Sequence, residues 1–500
     1  MSEQRYFKLY AQRHTIGAQN NYVKLFDAIR EQKEYDEKKI VKQFRKESFI
    51  KRISSEKVYL YNLILKSMRS FREDALTENK LRGLLDDIRL LYDKGLYPQC
   101  EKLITKAIKL ANQYEAFPEI LYLLKWQRRL MEKKYYSDVK SEDIDELVTK
   151  VQKTADKINN LWLYNSVYSK MYLLYFKMGD IRAEYESNEF DAILANLPLK
   201  EENALSYEAK NAFYNIHALY SLNKNKYDAE TYYSKKRLEL MESNLHQIKE
   251  EPIRYLGALY NYGFSSSQDE KYKEVLTVIK KIRSLPKKFG RNISEYDLFL
   301  YSYTLELTVY NNAGQFNKGT KIINAIEQGI KEFSSYISPE RKTNFYYLIC
   351  YACFGSRNYS KALEYSNYIM NQPLTNYLKI AHFYGRILNL IIHYELKSEG
   401  ALPYYITSTY RFLKKRNKVY KIEACIMNFL RKKTPAINSK KEMVAAFKEL
   451  KNELVEISKD PFERKSLKYF DIISWVESKI ENRPFAEVVM EKAKSFEIVN

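Results

Sequence analysis

Apolar residues recur every three or four positions over most of this chain, and the recurrence breaks at short polar turns. Leu84, Ile88 and Leu91 share one face at a 3.6-residue period, and Leu103, Ala107 and Leu110 repeat it beyond Lys94-Gly95-Leu96-Tyr97. Phe345, Ile349 and Cys353 do the same, followed by Ala362, Leu363 and Ile369 beyond Arg357-Asn358-Tyr359. That spacing predicts amphipathic α-helices joined by tight turns. With 13 Gly and 11 Pro in 500 residues there are few interruptions, so the helices should be long and their connections short.

Three regions follow from the pattern. Over residues 1–80, Leu25, Ile29, Ile40 and Phe44 sit at helical spacing among charges, and Tyr59 and Leu63 open a more apolar helix. This region reads as an N-terminal helical cap. Residues 81–435 read as a helical repeat array. From about residue 205 its turn aromatics are Tyr227, Tyr272, Phe316 and Tyr359, spaced by 45, 44 and 43 residues. A fixed period marks a solenoid, because each helix pair needs neighbours to bury both faces. The rhythm is poor over 120–200, where two helices are expected at about 141–159 and 161–176. Residues 436–500 read as a C-terminal cap. Met443, Phe447, Leu450 and Leu454 form one helix face, and Asp460-Pro461-Phe462-Glu463 starts a helix carrying Leu467, Phe470 and Ile473. Ser267-x-x-Glu270 and Ser294-x-x-Asp297 have capping-box spacing, and Ser338-Pro339 puts proline at a first helical position.

The stretch NFYYLICYACFGSRNYSKALEYSNYIM, Asn344 to Met370, shows the unit best: helix, turn, aromatic, then a small residue three positions on. The small residues are Cys100, Val275, Gly319 and Ala362, while Tyr227 is followed instead by Glu230. The unit resembles the tetratricopeptide (TPR) repeat, over roughly five units between 81 and 432, with a period longer than the standard 34 residues. FDAIREQKEYDEKKI and GLYPQCEKLITKAIKLA are similar to a group of long bacterial TPR-like proteins, a likeness that brings no activity with it. The resemblance implies an all-α, TPR-like α-solenoid: a right-handed superhelix of antiparallel helix pairs. It also implies that first helices line a concave groove for a protein or peptide. The groove positions would fall on Asn344, Tyr347 and Tyr351, and in the preceding unit on Tyr301, Thr304 and Asn311. Aromatic and amide side chains suit peptide recognition, although in a chain with 46 Tyr any one of them can equally fill the core.

Charge adds a second candidate. The formal net charge is +21, which suits an acidic partner, or follows simply from a composition rich in Lys, Asn, Ile and Tyr. The densest stretch holds Arg411, Lys414, Lys415, Arg416, Lys418, Lys421 and Arg431 to Lys433 against Glu423, interleaved with Tyr410, Phe412 and Tyr420. It resembles a nucleic-acid surface, RNA or DNA. It also fits a solvated helix end, where cations are favoured.

No motif supports catalysis. Cys350-x-x-Cys353 falls inside a helix with no second pair, which points to core packing rather than zinc or redox chemistry. His382 and His393 stand eleven apart, without metal-ligand spacing. Gly314-Gln-Phe-Asn-Lys-Gly319-Thr-Lys321 has Lys and Thr in the wrong order for a phosphate loop. Four Cys and the lack of a signal-like or membrane-length apolar run favour a soluble cytoplasmic protein. The expected function is a non-enzymatic scaffold without cofactor or metal, binding protein or peptide in its groove, with nucleic-acid binding through Arg411–Lys433 as the alternative.

Overall fold

A computed structural model of the chain describes residues 3–13, 21–71, 76–137, 139–178, 184–195, 200–290, 293–372, 379–398, 400–415 and 419–493. Every regular element among them is helical: 26 α-helices, a few 3-10 turns and one π turn. The chain divides into two compact units, Met1–Ile158 and Asn159–Asn500.

Consecutive helices pack as neighbours because one turn recurs. Gly95, Glu115, Asn225, Glu270, Gly314, Arg357 and Lys397 all adopt φ between 53° and 74°. The next residue then donates its N–H to the carbonyl five positions back, as in Leu96 to Leu91 at 2.9 Å, Lys226 to Ser221 at 2.9 Å, Gln315 to Tyr310 at 2.8 Å and Asn358 to Cys353 at 2.9 Å. This left-handed cap satisfies carbonyls that the helix end would otherwise leave unpaired. The aromatic comes next and opens the following helix: Tyr97–Gln113, Phe117–Lys133, Tyr227–Glu242, Tyr272–Phe289, Phe316–Lys321 and Tyr359–Asn371. Five of the seven left-handed positions are not glycine, and each of these carries Cβ strain. Lys397 is exposed, so Lys397→Gly should raise stability by up to about 1 kcal/mol. The check is the midpoint of urea unfolding, with an unchanged slope.

In the first unit, the helices Glu3–Arg13, Asn21–Arg30, Glu37–Gln43 and Ile53–Phe71 bury Phe7, Leu25, Ile40 and Leu60 together. A second cluster, with Leu81, Ile88, Ile104, Leu123 and Trp126, joins Thr77–Asp93, Tyr97–Gln113 and Phe117–Lys133. The two helices expected over 141–176 are one, Ser141–Met178, 38 residues long.

In the second unit, first helices Tyr207–Asn223, Pro252–Gln268, Glu295–Asn312, Pro339–Gly355 and Lys379–Glu395 alternate with the helices that the turn aromatics open. Small residues stand where rings enter: a Cβ on Gly355 would strike the Phe316 ring, and one on Gly329 the Phe299 ring. Cys350 and Cys353 are fully buried in the same core as Phe316 and Phe345, as packing residues would be, and the Cys350 thiol donates to the Ala362 carbonyl at 3.2 Å. Burial pushes both thiols up in pKa, away from nucleophilic use. His393 is buried and stacked on Tyr405 at 4.3 Å.

Local cap signals divide. Ser294 accepts from the Asp297 N–H, and Ser338 from the Arg341 N–H with Pro339 behind it, as their spacing predicts. Ser267 instead lies buried in the last turn of Pro252–Gln268, and Glu270 is a left-handed turn residue, so this pair starts no helix. Asp460 caps Pro461–Arg464, but that helix ends after four residues and passes through a 3-10 turn, Lys465–Lys468. Glu463 bonds to a different helix start. Its carboxylate accepts from the N–H groups of Lys421 and Ile422 at 2.9 and 3.3 Å, capping the helix Lys421–Asn428.

Candidate binding surface of the helix pairs

Residues 461–493 pack back against the turns and helices of the earlier pairs of the second unit. Pro461 accepts from Asn225 Nδ2 at 3.1 Å. Lys468 Nζ donates to the Gln268 carbonyl at 2.7 Å and lies 4.7 Å above the Tyr227 ring. The Tyr469 ring stacks on Tyr384 at 4.0 Å. Phe470 packs on Tyr351 and Phe354, and Phe485 on Phe316 and Phe354, all with centroids between 5.2 and 5.6 Å. Gly314 completes the contact, because a Cβ there would come within 2.7 Å of the Met490 nitrogen. Met490 belongs to the helix Phe485–Lys492.

That covering fixes where the groove candidates stand. Tyr347 is buried and its hydroxyl donates to the Tyr469 carbonyl at 2.9 Å. Tyr351 is buried and its hydroxyl accepts from the Asp471 N–H at 3.3 Å. Burial pushes both phenols far up in pKa. Asn311 is buried and donates to the Leu348 carbonyl at 2.9 Å, tying two first helices together. Thr304 is buried and its hydroxyl donates to the Leu300 carbonyl of its own helix at 2.6 Å. Asn344 and Tyr301 are half-buried. Of the six, Tyr347 and Tyr351 meet at the C-terminal segment, Thr304 and Asn311 are enclosed, Asn344 stays half-buried on Pro339–Gly355, and Tyr301 belongs to a different stretch.

Around Tyr301 the lining is aromatic and cationic. Its ring lies 4.8 Å from Tyr260. The Arg341 cation acts on Tyr260, Tyr296 and Tyr301, opposing the upward pKa shift that burial gives all three. Tyr207 lies beside Arg254 and Arg237, with its hydroxyl pushed up to about 12 by burial. Arg254 holds Glu208 at 2.8 Å and Glu251 at 2.6 Å. Arg341 is exposed, while Tyr207, Tyr260 and Tyr301 are half-buried. Of these residues the sequence pattern flagged only Tyr301. The others were hidden because a first-helix tyrosine on this face has the same spacing as one in the core.

Glu230, the departure from the small-residue rule, also has a reason. It is 5% exposed, and Lys465 and Lys468 of the C-terminal segment act on its carboxyl with Asp269 nearby. Burial outweighs the two cations and pushes its pKa up to about 8.

Within the basic stretch, Arg411, Lys414 and Lys415 close the helix Leu402–Lys414, and Lys421 opens Lys421–Asn428, all four exposed. Lys414 lies over the Tyr410 ring at 5.9 Å, and Lys433 pairs with Glu449 at 2.9 Å. Arg416 and Lys418 lie outside the described residues. Among the described residues, no helix is long and apolar enough to cross a membrane.

The fold thus defines an all-α protein of paired helices. Neither a scan of protein-family models nor a search of curated proteins finds a match to this chain.

Proposed function

We propose that this protein is a non-enzymatic, TPR-like scaffold that binds an acidic peptide segment of a protein partner. The segment lies on the part of the first-helix face that residues 461–493 leave uncovered. The observation that carries the reading is the pair of half-buried tyrosines Tyr260 and Tyr301, with rings 4.8 Å apart and the exposed Arg341 acting on both. Rigid rings give contact area at low entropic cost, and arginine gives charge-assisted hydrogen bonds to carboxylates. The recurring turn and its aromatic support a TPR-like solenoid in which neighbouring first helices share one face.

The test is affinity capture from the native cell, with and without nuclease, using the wild type and a Tyr301→Ala/Arg341→Glu variant. One stoichiometric partner that survives nuclease and is lost by at least tenfold in the variant, with helicity and melting temperature unchanged, is the expected outcome. Capture that disappears with nuclease and ignores the variant would sink this reading and move the activity to Arg411–Lys433.

A further inference from the structure

The helix Ser141–Met178 leaves one stripe of apolar residues open. Leu147, Tyr164, Val167 and Met171 are buried off this stripe. On it, Trp162 is 69% exposed, and Ile144, Val148, Val151 and Leu173 are between 39% and 53% exposed. At about 100° per residue these five fall, with the half-buried Ala155, within a sector roughly 60° wide. The stripe is about 44 Å long at 1.5 Å per residue. Scattered apolar residues on a surface are ordinary, but a row of them rimmed by polar side chains marks an interaction face. Charge along the helix is divided. Residues 141–149 hold Glu142, Asp143, Asp145 and Glu146 and no base, while residues 157–178 hold Lys157, Lys170 and Lys177 and no acid.

We infer that this stripe docks antiparallel on the same stripe of a second copy of the chain, making the protein a homodimer. A two-fold axis at the midpoint of the stripe, between Ile158 and Asn159, sets the pairs. Ile144 meets the second copy's Leu173, Val148 its Ser169, Val151 its Ser166 and Ala155 its Trp162. The largest side chain faces the smallest, and each valine faces a serine, so the two helices can interlock closely. Such a self-matched patch is an isologous contact. Charge picks the direction. Antiparallel copies lay the acidic end of one helix along the basic end of the other, whereas parallel copies lay acid on acid and base on base. Asp145 and Lys170 are exposed on the same flank of the stripe, and the antiparallel pairing brings each within one turn of the other on the second copy. The inference does not rest on the reading of the Tyr260–Tyr301 face.

The experiment is sedimentation of the full chain over a range of concentrations, for the wild type, Trp162→Glu, Lys170→Asp and the charge-swapped Asp145→Lys/Lys170→Asp. The wild type should sediment at twice the mass of one chain. Trp162→Glu, made at an exposed position, should weaken the dimer at least tenfold with helicity and melting temperature unchanged. Lys170→Asp should weaken it severalfold, and the charge-swapped variant should recover it. Cysteine cross-linking reads the direction, since the four native cysteines are buried. Asn159→Cys, beside the two-fold axis, should form a disulfide between copies under mild oxidation. Val148→Cys alone should form none, because its own counterpart lies about 30 Å away along the pair, but it should couple to Ser169→Cys when the two proteins are mixed. A monomer at every concentration, or a dimer indifferent to Trp162→Glu, would overturn the inference. So would Val148→Cys coupling to itself, the mark of a parallel pair. If Trp162→Glu does not fold, the cysteine variants decide alone: coupling at 159 without coupling at 148 supports the antiparallel dimer, and any other pattern overturns it.

Discussion

Replacing Trp475 with alanine should cost about 3–5 kcal/mol of stability, the range for deleting a buried large aromatic. Trp475 is 1% exposed. Its ring meets Tyr394 at 5.6 Å and Phe447 at 5.5 Å, both edge-on, so it joins the helix Ile472–Glu481 to two others, Lys379–Glu395 and Lys440–Ile457. Its indole N–H donates to Glu395 at 2.6 Å, and Lys479 approaches the same carboxylate at 2.6 Å. Alanine leaves a cavity among rings held by their own neighbours, so relaxation can fill little of it. Trp475→Phe keeps part of the packing and loses the hydrogen bond, and should fall between. Chemical unfolding of the three proteins is the check. A loss below about 1 kcal/mol for alanine would mean that the C-terminal helices do not contribute to the core.

Stability should fall as pH rises from about 4.5 to 8, by roughly 1.4 kcal/mol per unit from Glu230 alone. The sign follows from proton binding. The folded carboxyl, pushed up to about 8 by burial, holds a proton that the unfolded carboxyl releases near its ordinary value of 4.5. Within that window the folded state carries more protons, so removing them favours unfolding. The contribution is complete below about 4.5 and lost above about 8. Buried His217 and His393, whose pKa values burial lowers, act in the opposite direction at the acid end. Glu230→Gln removes one slope and keeps the others. Unfolding free energies of both proteins from pH 5 to 9 should therefore diverge steadily, with the wild type losing ground until about pH 8. Parallel curves would mean that Glu230 is ionised beside Lys465 throughout.

Helices were legible wherever apolar spacing and the turn aromatic coincide, as at Tyr97, Tyr227, Tyr272, Phe316 and Tyr359, each of which opens a helix. Both are local signals within one turn. The left-handed cap was less visible: Asn225, Glu270, Arg357 and Lys397 occupy it without glycine's usual mark. The path of residues 461–493 was not legible at all. Phe470 and Ile473 have the spacing of an ordinary amphipathic helix, and nothing local states which distant face will receive them. Glu463 shows the same limit, since its capping target is 42 residues upstream. The groove candidates lie on the helices Glu295–Asn312 and Pro339–Gly355, each followed by a turn aromatic. That the chain's own end meets Tyr347 and Tyr351 depends on contacts no repeat encodes.

The covering of Tyr347 and Tyr351 by residues 469 and 471 has a consequence during synthesis. Those partners are 122 and 120 residues apart in the chain. At ribosomal speeds of about 5–20 residues per second, the earlier helices wait roughly 6–24 s for the segment that shields Phe316, Tyr351 and Phe354. For that interval a nascent chain presents a sticky aromatic surface to the crowded cell. Translation rate over residues 360–470, and the supply of chaperones that hold such chains, should therefore govern the yield of this protein more than the final stability does.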